Sequence, residues 1–278
     1  MKALYDQLSV SCSKKTTQLY STSFSLGIHF LHPKFHNAIY SIYGFVRLAD
    51  EIVDSFHEYD KHDLMARIRL DTVEAIESGI SINPILNSFQ QVVNQYGIEW
   101  SLIDTFLKSM EMDLGQKQHN NDSFQEYVLG SAEVVGLMCL RVFMEGNTSQ
   151  YEDLKCYAMK LGAAFQKVNF LRDLKADYQD LGRSYFPGIN FTHFSGTDKE
   201  IIQQQIQDDF RQALIGIKKL PGSSRRGVYL AYYYYQKLFL RIEEAPAEEI
   251  MDLRIRIPNY DKFGLMLRSL IRHQLNWL

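Results

Sequence analysis

A single all-α domain is what this sequence predicts, and three observations predict it. Long stretches carry apolar residues at three- and four-residue spacing, the period of an amphipathic helix. No stretch alternates apolar and polar residues between hairpin turns, so strands are not required. No low-complexity linker or internal repeat divides residues 1–278.

In chain order, helices are expected over Lys34–Asp54, Lys61–Ser78, Ile98–Gly115, Ser123–Glu145 and Tyr151–Tyr178. More follow over Lys199–Leu220, Arg225–Ile242 and Tyr260–Trp277, with a loop at Gly188–Asp198. Pro33, Pro84, Pro187, Pro221, Pro246 and Pro258 punctuate these segments, because proline ends or opens helices but does not sit inside them. About ten helices around a central hydrophobic cavity is the expected architecture.

Composition removes some classes of function. A net charge of −3 gives no overall basic field, which argues against a nucleic-acid partner. Cys12, Cys139 and Cys156 are odd in number and widely spaced, so neither a disulfide framework nor a thiolate metal site is expected. That usage fits a reducing, cytoplasmic compartment. Residues Met1–Tyr20 are polar and lack the apolar core of a leader peptide. The oiliest run, Val134–Met144, is interrupted by Arg141 and too short to span a bilayer. The expectation is a soluble chain, at most peripheral to the inner face of a membrane. Scattered histidines without ligand spacing, and methionines such as Met110 and Met138 that read as core filler, add no further site. Glycine-rich phosphate loops are absent.

Two acidic helix faces carry the chemistry. In the first, Tyr43, Arg47, Asp50 and Asp54 fall on one face, within roughly 60° at 100° per residue, with Glu51 on its shoulder. In the second, Gln166, Asn169, Asp173, Asp177 and Asp180 share a narrow face, and Arg172 lies beside it. Carboxylates one turn apart repel each other. A lone D-x-x-x-D is commonly a solvated face, but a pair of such stripes makes sense if cations sit between them. Mg²⁺ is held by one or two carboxylates plus substrate phosphate oxygens. Arg47 and Arg172 supply guanidinium forks that match phosphate.

At these residues the chain resembles the squalene/phytoene synthase family of head-to-head prenyltransferases. The resemblance is carried by RLADEIVD (47–54) and NFLRDLKADYQDLGRSYFP (169–187), with STSFS (21–25), AYYYY (231–235) and RIRIP (254–258) in the same order. It implies an all-α class I isoprenoid-synthase bundle and Mg²⁺ held by Asp50, Glu51, Asp54, Asn169, Asp173 and Asp177. It further implies diphosphate contacts from Ser21, Ser23, Phe24, Arg47, Gln166, Asn169 and Arg172, and from Arg254 and Arg256 near the C-terminus. Tyr43, Tyr185 and Tyr234, with Arg47 and Arg172, are implied at the reacting centre.

The implied reaction joins two geranylgeranyl diphosphates through a cyclopropylcarbinyl (prephytoene) diphosphate to give phytoene. The nearest alternative is a C15 enzyme making squalene or dehydrosqualene from farnesyl diphosphate; a non-catalytic relative serving as an assembly factor is the second. Water would trap the carbocation, so the channel must be dry, and aromatic faces stabilise passing cations by about 1–2 kcal/mol each. Only one or two rings of Tyr232–Tyr235 can face such a channel, because four consecutive residues span a helix circumference. The sequence departs from the family at Leu129, where a tyrosine is usual, and at Glu133, where glycine is usual, which bears on the cavity wall.

Overall fold

The computed structural model describes residues 1–115, 118–175, 177–178, 182–189 and 194–252. Among them are twelve α-helices and no strand beyond the isolated bridge between Gln118 and Ser184. They are α1 (Lys2–Tyr20), α2 (Thr22–His29), α3 (His36–Ser55), α4 (Lys61–Ser78), α5 (Pro84–Tyr96) and α6 (Trp100–Gly115). After these come α7 (Asn121–Val128), α8 (Val134–Met144), α9 (Thr148–Lys175), α10 (Gly196–Lys219), α11 (Gly222–Glu244) and α12 (Ala247–Asp252). The helix expected over Tyr260–Trp277 lies outside the described residues.

Helix α4 matches its expected span, whereas α1 and α5 are not among the expected helices, for separate reasons. Helix α1 buries a polar stripe, Ser9, Ser13 and Thr17, while Leu4, Leu8 and Leu19 are exposed. Its grip on α3 and α5 is by close approach and hydrogen bonds. The Ser13 and Ser88 hydroxyls lie 2.8 Å apart, and Asn87 donates to Ser9 at 3.0 Å. A Cβ at Gly44 would lie 2.6 Å from the Ser13 oxygen, so only glycine lets α1 settle there. Reading apolar periodicity inverts such a helix. In α5 the proline is a start: Pro84 occupies the first turn, where its missing N–H costs nothing. The Asn83 side chain caps it by accepting from the Ile85 amide at 3.0 Å.

The expected helix Ser123–Glu145 is real but broken into α7, a π-helical turn at Leu129–Glu133 and α8. This rod is apolar on most sides because it is packed on most sides, against α3, α6 and α9. Asn121–Met144 is long and apolar enough to cross a membrane, yet 56% of its most apolar window is buried within the bundle. The π turn brings Gly130 against α6 and Ala132 against Gly162 of α9, where a Cβ on Gly162 would lie 2.6 Å from the Ala132 carbonyl.

Two hydrophobic clusters hold the bundle. One gathers Phe35, Phe45, Phe89 and Phe106 from η1 (Pro33–Phe35) and from α3, α5 and α6. The other gathers Phe170, Phe210, Tyr232 and Phe239 from α9, α10 and α11. Between them lies a cavity.

Candidate active site

The cavity has a volume of about 310 Å³ and draws its walls from α2, α3, α8, α9, α10 and α11. Helix α9 shows its direction. Leu154, Ala158, Leu161, Phe165 and Asn169 line it in three- and four-residue steps, with Gln166 beside Phe165. The same face continues to Asp173, about 28 Å from Leu154 at 1.5 Å per residue. Ile39, Tyr43 and Val46 line it from α3, and Asp50 follows one turn later. An apolar channel thus ends at the two acidic stripes.

The stripes face each other. Arg183 ties them together: its guanidinium Nη1 lies 2.9 Å from Asp54 Oδ1 and 3.9 Å from Asp113 Oδ1. Its Nη2 donates to the Asp113 carbonyl at 3.3 Å, and its backbone N–H donates to the Asp177 carbonyl at 2.7 Å. Arg47 pairs with Asp50 and Glu51. Arg172 pairs with Asp173, its Nε donating to Oδ1 at 3.0 Å.

Among the described residues, six carboxylates, Asp50, Glu51, Asp54, Asp113, Asp173 and Asp177, therefore share three guanidinium groups, and the imbalance is felt. Burial first and Asp54 second push Asp50 up to about 6. Burial first and Asp173 second push Asp177 up to about 7. Burial also pushes Asp113 up to about 7, against the opposing pull of Arg183 and of Tyr127, which donates to its Oδ2 at 2.8 Å. Asp113 Oδ1 and Arg47 Nε are buried with no hydrogen-bond partner. Surplus negative charge with orphaned polar atoms is a setting that fits Mg²⁺ and a phosphorylated ligand. Among the described residues no three Asp, Glu, His or Cys side chains stand together as a ready metal cluster. The ion would take phosphate and water oxygens as well, as Mg²⁺ commonly does.

Where channel and carboxylates meet, Tyr235 donates to Asn169 Oδ1 at 3.3 Å, and Asn169 Nδ2 donates to Gln166 Oε1 at 3.5 Å. Phe165 stacks on Tyr235 at 4.0 Å, and Phe24 packs on Tyr43 at 4.8 Å. Burial lifts the Tyr43 hydroxyl to about 12, so it stays protonated at neutral pH. Ser21 lines the cavity and caps α2, accepting from the Phe24 amide at 3.2 Å. Tyr20 lies against the Arg47 guanidinium at 4.2 Å.

Other expected residues sit apart from the channel. Ser23 is half-buried and is not part of the wall. Tyr185 is buried in a stack with Phe170 at 4.1 Å and Tyr127 at 5.2 Å, beside Arg183. Tyr234 lies edge-on to Tyr235 at 5.8 Å, and the ring lining the channel is Tyr235. The register explains it: Gly227, Ala231 and Tyr235 share a face at four-residue spacing, two small residues that open space and then a ring. That spacing was the signal available in the sequence. For Asp113 the signal was a carboxylate in step with buried Phe106 and Met110 on α6. Arg254, Arg256 and Asp180 lie outside the described residues.

The two departures have separate fates. Leu129 packs partly buried against the first hydrophobic cluster. Glu133 is not part of the channel wall; Ser131, Ala132 and Val135 are. It instead joins a charge cluster in which Lys160 and Lys167 reach Asp209 at 2.9 and 2.7 Å.

Comparison with known proteins follows the same lines. The squalene/phytoene synthase family model matches residues 17–261. Tomato phytoene synthase 1 (Solanum lycopersicum) is 25% identical over 86% of this chain, which spans 61% of that protein. The phytoene synthase of Arthrospira platensis is 24% identical, covering 90% and 88% of the two chains. A presqualene diphosphate synthase from Sinorhizobium fredii is 33% identical over 64% of this chain and 63% of its own. In three dimensions the chain superposes on a ligand-bound dehydrosqualene synthase with TM-score 0.84 at 20% identity, over 97% and 98% of the chains. Squalene synthase HpnC from Alicyclobacillus acidocaldarius follows at 0.75 and 16%, over 86% and 95%. These superpositions establish the fold.

Proposed function

The chain belongs to the squalene/phytoene synthase family, and from that premise we propose that it condenses two geranylgeranyl diphosphates head to head to give phytoene. The observation that carries the reading is the convergence on Arg183 of the Asp54 and Asp113 carboxylates and of the Asp177 backbone carbonyl, where the acidic stripes meet a long apolar channel.

In this reading the prenyl chains lie in the channel, and one diphosphate leaves at its polar end. The C1–O bond breaks with its electron pair going to the diphosphate. The double bond of the second substrate attacks C1, and loss of a proton closes a cyclopropane. Arg47 and Arg172 keep N–H donors beyond those used by their carboxylates and orient the departing oxygens. Asp50, Glu51, Asp54, Asp173 and Asp177, with Asn169, would hold Mg²⁺, which when bound neutralises charge on the diphosphate. Tyr43 and Tyr235, with Phe24 and Phe165, turn rings rather than bases toward the cation. Apolar walls keep water from trapping it.

Phytoene synthases among the relatives favour the C20 substrate, and the dehydrosqualene synthase superposition gives the C15 alternative its support. The test is incubation of purified protein with Mg²⁺ and either C15 or C20 diphosphate, with and without NADPH, followed by identification of the product. Phytoene from the C20 substrate is expected. A C15-derived hydrocarbon would replace the substrate assignment, a cyclopropylcarbinyl diphosphate alone would remove the second half-reaction, and no condensation with either would overturn the reading.

A further inference from the structure

Charge is unevenly distributed along this chain. Between Asp209 and Glu243 there are seven Lys and Arg residues and no acid, although the net charge of the whole is −3. Four of the seven fall in KKLPGSSRR (218–226), where α10 turns into α11. Lys218, Lys219 and Arg226 are exposed, and among the described residues none of these three, nor Arg225, has an ion-pair partner.

Helix electrostatics account for only half of this. Lysines in the last turn of α10 complement its negative end, but arginines in the opening turns of α11 face a positive one. That first turn has no acid, and Pro221 offers no side-chain cap. Arg225 reaches the Lys218 carbonyl at 3.4 Å, and its Nε is buried without a partner. Arg225 and Arg226 are thus gathered where the helix field disfavours them, with no acid in that turn to offset it.

The turn also closes the far end of the channel. Leu220 and Tyr157 line the cavity, and Lys219 lies over the Tyr157 ring at 4.7 Å. The Ser223 carbonyl accepts from the His32 amide at 2.9 Å, which joins the turn to the chain just beyond α2 and Leu31. Ile215, one turn before Lys219, is exposed.

We propose that the 218–226 turn docks on an anionic lipid bilayer, with Lys218, Lys219, Arg225 and Arg226 against phosphate headgroups and Ile215 at their acyl boundary. The fit is one of charge and of place: basic side chains bind such surfaces, and the apolar floor of the channel lies directly behind them. This deepens the proposed function, since it rests on that reading for a hydrocarbon product that would pass into lipid and not into water.

Vesicle sedimentation without substrate tests docking separately from catalysis. Phosphatidylcholine vesicles are compared with vesicles also containing phosphatidylglycerol, for the native chain and for Lys218→Glu/Lys219→Glu/Arg226→Glu. Each basic side chain near such a surface is worth about fivefold, so the triple variant is expected to partition at least about 100-fold less onto the anionic vesicles. An equal charge change elsewhere, Lys2→Glu/Lys15→Glu/Lys108→Glu, is expected to stay within about twofold of native. Condensation assayed in detergent is expected to be unchanged in both variants. Undiminished binding by the 218–226 variant, or equal binding to neutral vesicles, would overturn the proposal. So would displacement by inorganic phosphate beyond that by chloride at equal ionic strength, which would mark a soluble-phosphate site.

Discussion

Two half-buried charge clusters in this molecule look alike in composition and differ in balance. Behind the channel wall, Asp209 and Glu133 meet Lys160 and Lys167, two acids against two lysines, and Asp209 is 4% exposed with an ammonium on each oxygen. At the channel's polar end, among the described residues, six carboxylates meet three guanidiniums, and three of the acids are raised to about 6 or 7 by burial and by neighbouring carboxylates, whereas in the first cluster burial raises Glu133 against the opposing pull of two lysines. A balanced cluster is complete and serves the fold. An excess of carboxylates among the described residues is a setting for a cationic ligand, and the difference separates architecture from chemistry.

Substitution should divide the two. Asp50→Asn or Asp173→Asn is expected to lower turnover by about 10³-fold or more, because electrostatic stabilisation of a leaving group is worth several kcal/mol. Thermal stability should hold or rise as like-charge repulsion falls; activity within a few-fold of native at saturating Mg²⁺ would abolish the distinction. Asp209→Asn should do the reverse. Breaking a buried pair costs about 3–5 kcal/mol, so the melting temperature should fall by several degrees while turnover per folded molecule stays within a few-fold. A variant that melts normally but is inactive would place Asp209 in the chemistry.

The two clusters should also part with pH. Carboxyls raised by the fold contribute stability that is present below their unfolded value near 4 and lost as pH rises through the folded one. With Asp50 near 6 and Asp113 and Asp177 near 7, metal-free protein should lose stability between about pH 4 and 7, and Mg²⁺ should flatten that slope. A melting temperature that climbs over this range without metal would contradict the imbalance. The smallest effect is expected at Glu133→Gly. Glu133 points to the balanced cluster and not into the channel, so the product should be unchanged and stability should drop by about 1 kcal/mol, as for glycine placed within a helix. A changed product profile would move Glu133 into the wall.

Much of this was legible beforehand, and what was not had a physical cause. The stripes were readable because helical geometry fixes which residues share a face whatever surrounds them. Residues α4 spans were readable because Asp60 caps its start and Gly79, at φ 71°, ends it. Helix α1 was illegible because serines and a glycine, not leucines, form its contact surface. Arg183 and Asp113 were missed because their meaning lies in being near each other across the fold, which no local spacing expresses. In the run of four tyrosines, only the small residues one and two turns earlier, Ala231 and Gly227, mark Tyr235 as the ring on the open face.

The two acidic stripes should behave as one site. The direct measurement is the affinity of inorganic diphosphate in the presence of Mg²⁺ for native protein, Asp54→Asn, Asp177→Asn and the double variant. Residues sharing one ligand couple, whereas independent sites add. The expected result is that the double variant binds no more than a few-fold more weakly than either single one. Losses that multiply in full, or diphosphate binding untouched by either substitution, would contradict it.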